Sequence, residues 1–364
     1  MVVDAGTPAV SDPGARLVAK VRAAGYRIIP LADLARDGDL LDRIREVRHQ
    51  IARELGLIVP QVRVRDEIHL GAHEYRLKIR GAVVGQGIAY TGRLLAVPPL
   101  GLVARPEGRD GVDPTSGQPA VWIHADGREV AALSGCKVFE TSAVIALHFG
   151  ELVNLHADDL MTHDQVARWL ERARGTAAGL VDEVVPSLLR VGEVQRILQC
   201  LLRERVSIRD SETILEALAV HSAKTKDPNT LLEHVRRSLG RQITQKYRGP
   251  DGHLRGVVLA QSLESRLIAV SRDGDRPATS AMGPDAVRAI IQGVAQAVGV
   301  LLDSGLPPII VCSADARPVL KDITRADLPR LVVLSQHEVP KDVPFEPLGV
   351  ATEEGATRTM SMTI

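Results

Sequence analysis

The first residues of the chain have the types and spacing of a loop that could hold a nucleotide-like cofactor. A short apolar run ends in Asp4, and the turn Gly6-Thr7-Pro8 follows it, before a second Asp-Pro-Gly turn and a helical pattern. Strand–loop–helix units of this composition often surround phosphates, because glycine lets the backbone come close to a ligand and a helix N-terminus attracts negative charge. The opening stretch therefore raises the hypothesis of cofactor binding.

Other groups that could do chemistry have patterns that favour structural roles. His69, His73 and Glu74 lie in an apparent loop between strands, where a spacing of four residues does not bring metal ligands together. Asp158 and Asp159 precede a helical pattern, where adjacent acids usually cap a helix and interact with its positive end. We therefore expect no metal site and no catalytic residue after the opening stretch.

The composition is that of an ordinary globular protein. Hydrophobic residues make up 45% and charged residues 25% of the 364 residues, and the formal net charge is zero. Zero net charge and an aromatic content of 2% argue against nucleic-acid binding, which needs a basic surface or stacking rings. Cys136, Cys200 and Cys312 are far apart among apolar residues, so we expect buried, reduced thiols.

The sequence lacks the pattern of a signal peptide and of a membrane span. Residues 1–30 contain Asp4 and Asp12 and no continuous apolar segment of the kind found in signal peptides. The longest apolar stretch, AIIQGVAQAVGVLL, is shorter than a bilayer-crossing helix. We therefore expect a chain that does not cross a membrane.

Hydrophobic periodicity in the first half predicts an α/β region. Apolar residues at helical spacing predict a helix from Leu40 to Leu55 that ends at Gly56. Strict alternation predicts strands in VRVRD and EYRLKIRG. The Gly/Pro-rich residues 97–119 predict a long loop before the strand AVWIH.

The second half is predicted to be helical first and α/β afterwards. Residues 206–248 have helical patterns throughout, with Ser207 and Asp210 at one helix start and Asp227-Pro228 as the cap of another. A predicted helix over 284–303 precedes the apolar strands of PPIIVCS and LPRLVVLS, which predict a buried sheet.

The opening stretch resembles one family of known proteins. DAGTPAVSDPGARLV resembles the cofactor loop of the tetrapyrrole-methylase superfamily, in particular the S-adenosylmethionine-dependent 2′-O-methyltransferase of 16S ribosomal RNA. The resemblance implies that Asp4, Gly6, Thr7 and Pro8 would line a cofactor cleft. It covers only residues 1–30, and one strand–helix unit cannot bury a core. We therefore expect a fragment without cofactor that contributes little to stability.

From Ile29 onward the chain resembles the cytosolic half of the type III secretion export gate, the FlhA/FHIPEP family, which serves flagellar assembly or a virulence injectisome. The matching stretches run in family order and include HEYRLKIRG, GQPAVWI, LLRERVSIRDSETILEAL, HSAKTKDPNTLLEHVRRSLGRQI and LPRLVVLSQHEV. The family's amino-terminal membrane half is expected to be absent, with the methyltransferase-like fragment in its place. The resemblance covers most of the chain.

The resemblance implies an α/β multi-subdomain fold, with two α/β units separated by a helical subdomain and a small α/β insertion in the first unit. The expected parts are a methyltransferase-like fragment (1–28), a linker (29–40), α/β subdomain 1 (41–136 with 186–205), inserted α/β subdomain 2 (137–185), helical subdomain 3 (206–282), α/β subdomain 4 (283–350) and a disordered tail (351–364).

The function implied by the resemblance is that of a non-enzymatic platform. In the family, complexes of export chaperones with their substrates dock on a ring of nine cytosolic domains, beside other components of the secretion apparatus. Neither a cofactor nor a nucleic acid is expected as a partner. The alternative is an S-adenosylmethionine-dependent methyltransferase remnant with the export-like region as a passenger. Flagellar and virulence use both remain open.

The resemblance also implies a docking site. In flagellar members the chaperone pocket contains an acid, an aromatic residue three positions later and a hydroxyl residue after a Val-Pro turn. Ungapped comparison places these at Asp158, Met161 and Gly192, so only the acid is kept. The alternative for Asp158 is that it caps a helix that begins near Thr162.

Overall fold

The computed structural model describes residues 2–5, 39–65, 67, 69–99, 105–272, 278–353 and 356–357. Within the chain, Met1–Gln165 and Val166–Ile364 form two compact units.

The first unit contains two four-stranded sheets. Its elements are β1 (Val2–Ala5), α1 (Asp39–Leu55), β2 (Val62–Arg65), β3 (Glu74–Ile79), β4 (Ala82–Ile88), β5 (Arg93–Val97), β6 (Arg109–Val112), β7 (Pro119–His124), α2 (Arg128–Leu133), β8 (Lys137–Glu140), α3 (Thr141–Leu155) and α4 (Ala157–Leu160). The strand orders are β2-β1-β3-β4 and β6-β7-β5-β8. These mixed sheets and helices confirm the α/β class of this region.

Helix α1 confirms the prediction from its hydrophobic spacing. Leu40, Ile44 and Ile51 are buried on one face. The helix ends where Gly56 adopts a φ of +77° and donates its N–H to the carbonyl of Ala52 at 3.1 Å, a conformation that glycine adopts without steric cost.

Helix α3 is joined to α1 and to the first sheet by buried polar contacts. The hydroxyl of Ser142 donates to the carboxylate of Asp39 at the start of α1, and this hydrogen bond lowers the pKa of Asp39. The hydroxyl of Tyr75 on β3 lies 2.8 Å from Nδ1 of His148 on α3. Burial raises the pKa of Tyr75 and lowers that of His148, which favours an uncharged pair.

The pairing of strand β1 argues against the expectation that residues 1–28 contribute little to stability. It lies between β2 and β3, antiparallel to the first and parallel to the second, with Val3 opposite Val64 and Leu77. A strand with neighbours on both sides completes two hydrogen-bond ladders, and its loss would expose both. Residues 6–38 lie outside the described residues.

The small sheet contains two strands that the sequence did not predict. Strand β8 pairs with β5, and β6, which lies inside the predicted loop 97–119, pairs with β7. This sheet spans 93–140, and the described residues from 141 to 182 are helical apart from short connections. The expected bounds of the inserted subdomain, 137–185, stay a prediction. The sequence missed β6 and β8 because four-residue strands are identified only by their distant partners.

The second unit is helical first and then forms a sheet. Its elements are α5 (His163–Asp182, whose first residues belong to the first unit), a π-helical turn (Glu183–Leu188), α6 (Val191–Arg203), α7 (Ser211–Ser222), α8 (Pro228–Ser238), α9 (Gly240–Tyr247), β9 (Leu254–Leu259), α10 (Gln261–Arg272), α11 (Ala278–Met282), α12 (Pro284–Asp303), β10 (Ile309–Cys312), α13 (Ala316–Thr324), β11 (Val332–Ser335), β12 (Phe345–Ala351) and β13 (Ala356–Thr357).

Side-chain caps fix the starts of the central helices. Asp210 accepts the backbone N–H of Thr213 at 3.0 Å and caps α7, whereas the predicted partner Ser207 lies outside this cap. Asp227 accepts the N–H of Thr230 at 2.8 Å and caps α8, with Pro228 as its first residue. The second cap confirms the prediction from the Asp-Pro pair.

The five-stranded sheet begins earlier in the chain than predicted. Its order is β11-β10-β9-β12-β13, and β9 pairs in parallel with both β10 and β12. Residues 254–272, which fall in the predicted helical part 206–282, supply a central strand of this sheet and a helix. The predicted tail 351–364 is likewise partly ordered, because Ala356–Thr357 pair with β12.

Helix α12 packs on this sheet. It is 20 residues long, and among the described residues it is the one helix long and apolar enough to cross a membrane. Its bounds confirm the predicted helix over 284–303, whereas the expectation of no membrane span was drawn from the shorter apolar stretch inside it. Ile290, Val294 and Leu301 on one face are buried in the same hydrophobic core as Val257 of β9, which is the packing of a core helix.

Candidate functional site

The first candidate position, Asp158, lies in the short helix that follows α3. Helix α3 ends at Leu155, and α4 begins two residues later, with Asp158 half-buried in its first turn. The carbonyl of Asp158 accepts the N–H of Met161 at 3.1 Å. The adjacent Asp159 is exposed, and its carboxylate lies 3.3 Å from Nδ1 of His156. The two neighbouring acids therefore have different surroundings.

The start of helix α5 is capped by Thr162. Helix α5 begins at His163, and the hydroxyl of Thr162 accepts the backbone N–H of Gln165 at 3.2 Å. Asp158 lies in the first turn of α4, the helix before it.

The second candidate position, Met161, is buried. Its side chain is only 2% exposed and is among the largest fully buried side chains of the described residues. In this conformation Met161 offers almost no surface to a partner, and its assignment to a docking pocket stays a prediction. The sequence missed this burial because a methionine between two polar segments gives no periodic signal.

Met161→Ala is therefore expected to lower the free energy of unfolding by about 2–5 kcal/mol, as large-to-small substitutions in cores do. Urea unfolding followed by the fluorescence of Trp122, in a Trp169→Phe background, measures it. Met161→Leu is the matched control and should cost less than about 1.5 kcal/mol, because it nearly preserves the volume. Equal, small losses in both variants would contradict the burial of this side chain.

The third candidate position, Gly192, is exposed. It is the second residue of α6, and a Cβ at this position would meet no atom within 4 Å. The helix start is closed by Glu193, whose carboxylate accepts the N–H of Arg190 at 2.7 Å. Asp158 and Met161 belong to the first unit and Gly192 to the second.

An exposed apolar face on α3 precedes Asp158 in the chain. Leu147 and Leu155 are exposed large hydrophobic residues, and Glu151 lies midway between them. A spacing of four residues puts all three on one side of the helix. The sequence predicted no such face, because α3 is apolar nearly all round and its buried side dominates the pattern.

Metal-binding groups are absent from the described residues, where no three His, Cys, Asp or Glu side chains are arranged to hold an ion. The carboxylate of Glu74, the first residue of β3, accepts the N–H of Gly71 at 3.2 Å, and the ring of His73 in the preceding loop lies 4.6 Å from that of Tyr90. These contacts give both side chains a structural role.

The methyltransferase-like residues are mostly outside the described part of the chain. Asp4 lies in β1, opposite Arg63 and Lys78 in the strand register. Gly6, Thr7 and Pro8 lie outside the described residues. The strand that carries Asp4 is thus part of the first sheet.

The cysteines are free thiols. Cys136 and Cys312 are buried, as expected, whereas Cys200 is half-buried. Burial raises the pKa of both Cys136 and Cys312, so both thiols stay protonated at neutral pH. A protonated thiol is a weak nucleophile, which fits a structural role.

Comparison with known protein families gives one match that covers most of the chain. The model of the FHIPEP family matches residues 18–344. The flagellar biosynthesis protein FlhA of Borreliella burgdorferi is 34% identical over 319 residues, which are 88% of this chain and 46% of that protein. FlhA of Escherichia coli is 35% identical over 315 residues, 86% of this chain and 45% of that protein. The chain thus spans about half the length of the curated relatives it matches.

Comparison with solved structures shows a shared fold. CdsV in the CdsV–CdsO complex of Chlamydia pneumoniae has a TM-score of 0.74 and 20% identity, covering 96% of this chain and 97% of that chain. The nonameric SctV-C of EPEC, solved by cryo-EM, has a TM-score of 0.63 and 21% identity, covering 86% of this chain and 94% of that one.

Proposed function

Because the chain belongs to the FHIPEP family, we propose that it is the cytosolic platform of a type III protein export gate, on which complexes of chaperones with their export substrates dock. The observation that carries the proposal is the family match over residues 18–344. The named relatives are flagellar biosynthesis proteins, which supports a flagellar apparatus over a virulence one. We propose no catalytic step for this chain.

The assembly proposed for the chain is a ring in which each copy offers one docking surface. Its support is the nonameric arrangement of the similar SctV-C structure. The complex of CdsV with CdsO supports contacts with other components of the apparatus. We propose that the ring lies at the cytosolic side of the bacterial inner membrane, attached to a membrane half of the kind present in the family.

The docking surface proposed here is the exposed face of α3 and the α4 turn that follows it. Leu147 and Leu155 expose apolar side-chain area to solvent, and Asp158 adds a half-buried acidic residue. A surface of apolar residues beside a partly desolvated charge has the composition of an interface core. Gly192, which belongs to the second unit, and Met161, which is buried, stay predicted partner-binding positions outside this surface.

Asp158→Ala is expected to weaken the binding of a flagellar export chaperone loaded with its substrate by about 1–2 kcal/mol, as central interface truncations do. The matched control is Asp159→Ala, the adjacent exposed acid, whose effect should stay below about 0.5 kcal/mol. Surface plasmon resonance with the loaded chaperone as analyte measures both, beside thermal melts of each variant. Equal losses in the two variants, or losses that only follow stability, would contradict a docking role for Asp158.

A further inference from the structure

The second unit contains a cluster of buried charges that neither the family match nor the docking surface explains. Arg236, Arg317 and Glu338 have side chains only 2%, 1% and 1% exposed. Charged side chains are almost never buried to this degree unless they are paired. The members of this charge cluster are Glu204, Glu233, Arg236, Arg317, Lys321 and Glu338.

Arg236 is the first centre of the charge cluster. Its Nε and Nη2 atoms donate to the two carboxylate oxygens of Glu338, both at 2.8 Å, in a bidentate pair. Its Nη1 atom donates to Oε2 of Glu204 at 2.9 Å. A planar guanidinium fixes both position and orientation of a carboxylate bound in this way.

Arg317 is the second centre. Its Nη1 atom donates to the same Oε2 of Glu204 at 2.7 Å, and its Nε atom donates to Glu233 at 2.7 Å. Glu204 therefore bridges the two arginines, and the favourable field of both lowers its pKa although burial opposes this. The ammonium of Lys321 donates to the carbonyl of Leu331 at 2.7 Å. With three cations and three carboxylates, the cluster is balanced in charge.

The ion pairs of the charge cluster connect the helical part of the unit with the sheet part. Glu204 follows α6 and Glu233 and Arg236 lie on α8, whereas Arg317 lies on α13 and Glu338 follows β11. Three of the four pairings therefore cross from one part to the other. The same contact surface contains a close backbone approach, since a Cβ on Gly240 would lie 2.5 Å from the carbonyl oxygen of Glu338.

Buried ion pairs contribute little net stability, because the cost of removing both charges from water offsets their attraction. They instead fix the geometry of the contact, because moving one partner away leaves an uncompensated charge buried away from water. An apolar contact surface between the same two parts would tolerate several alternative packings. The balanced cluster therefore favours one orientation of the helical part relative to the sheet part over other, similar orientations.

We propose that the charge cluster is an orientation lock, which holds the helical part of the second unit (α6–α9) in one fixed position on its sheet part. The unit then moves as one rigid arm instead of bending between α9 and β9. This role is separate from docking on the first unit, so the failure of either proposal leaves the other standing.

The test measures the distance distribution between spin labels on exposed Val220 of α7 and exposed Leu302 of α12, each replaced by cysteine. Cys200→Ser removes the half-buried thiol, and Cys136 and Cys312 are too buried to be labelled in the folded protein. The measurement is made at pH 7, because burial lowers the pKa of Lys321 to about 8 and its charge must be kept.

Two variants of the full chain are compared with the parent. In the first, all six members are replaced to make the site apolar, by Glu204→Leu, Glu233→Leu, Arg236→Met, Arg317→Met, Lys321→Met and Glu338→Leu. In the second, Arg317→Lys keeps the charge and removes the forked geometry. Both should broaden the distribution roughly twofold or add a second distance. The control is Arg241→Lys in the exposed pair with Asp342. A distribution as narrow as the parent's in Arg317→Lys, or in a folded apolar variant, would overturn the proposal.

Discussion

Glu338→Gln is expected to lower the free energy of unfolding of the second unit by about 3–5 kcal/mol, the usual cost of breaking a buried ion pair on one side. Glu338 accepts two hydrogen bonds from Arg236 at 2.8 Å, and both side chains are at most 2% exposed. Glutamine keeps the shape but turns an amide NH₂ toward one of these donors. The guanidinium then retains its charge in a dry site with only Glu204 as a charged partner.

The measurement is urea unfolding followed by Trp169 in a Trp122→Phe background. Trp169 is buried in the second unit and its indole N–H donates to the carbonyl of Ile208 at 2.8 Å, so its emission reports that unit. Asp342→Asn is the matched control, because the Arg241–Asp342 pair is exposed and solvent screening leaves it only a minor contribution to stability. Equal, small losses in the free energy of unfolding of both variants would contradict a special contribution of the buried pair.

Val3→Pro is expected to unfold or strongly destabilise the first unit, by roughly 3 kcal/mol or more. Val3 is paired on both sides, opposite Val64 and Leu77, so proline removes a backbone donor from a strand inside the sheet and its ring disturbs the ladder. This expectation is the reverse of the one drawn from the sequence, where residues 1–28 contribute little.

Trp122, which is buried on β7 of the first unit, reports this effect in a Trp169→Phe background. Val3→Thr keeps the N–H and a β-branched side chain, so it serves as the control and should cost less than about 1 kcal/mol. A Val3→Pro variant as stable as the control would show that β1 does not hold the sheet together, and the fragment would again be a passenger.

The elements predicted correctly from the sequence are those whose signals are local. The helix from Asp39 to Leu55 shows its apolar spacing within its own 17 residues, and Gly56 follows it directly. The Asp227-Pro228 cap likewise needs no distant partner. Hydrophobic strands such as Ile309–Cys312 are apolar enough to be identified alone. Helix–coil and capping preferences are short-range, so the sequence displays them directly.

The misplaced elements are short strands whose identity depends on distant pairing. Strand β1 pairs with residues near 64 and 77, and β9 pairs with β12, about ninety residues later in the chain. Nothing in VVDA or LRGVVL alone distinguishes a central strand from a loop or an edge. The order of the family-like stretches predicted the transitions between α/β and helical regions only approximately. The boundaries of the sheets are set by strand pairing, which the sequence does not display.

The candidate site was predicted only in part, for the same reason. The docking role of Asp158 stays a prediction, and the burial of Met161 depends on packing that a single sequence does not display. The charge cluster escaped notice entirely, because the residues that pair across it are 84 to 113 positions apart. Along the chain each of these charges stands among other polar residues and resembles a solvated helix face.

Titration calorimetry of the full chain with a flagellar export chaperone loaded with its substrate tests the docking function most directly. We expect saturable binding of one loaded chaperone per chain in the micromolar range, and weaker binding of the same chaperone when it is empty. Circular dichroism of the same sample shows that the chain is folded. A folded chain that gives no binding heat with the loaded chaperone at about 100 µM would contradict the proposal that this chain is an export platform.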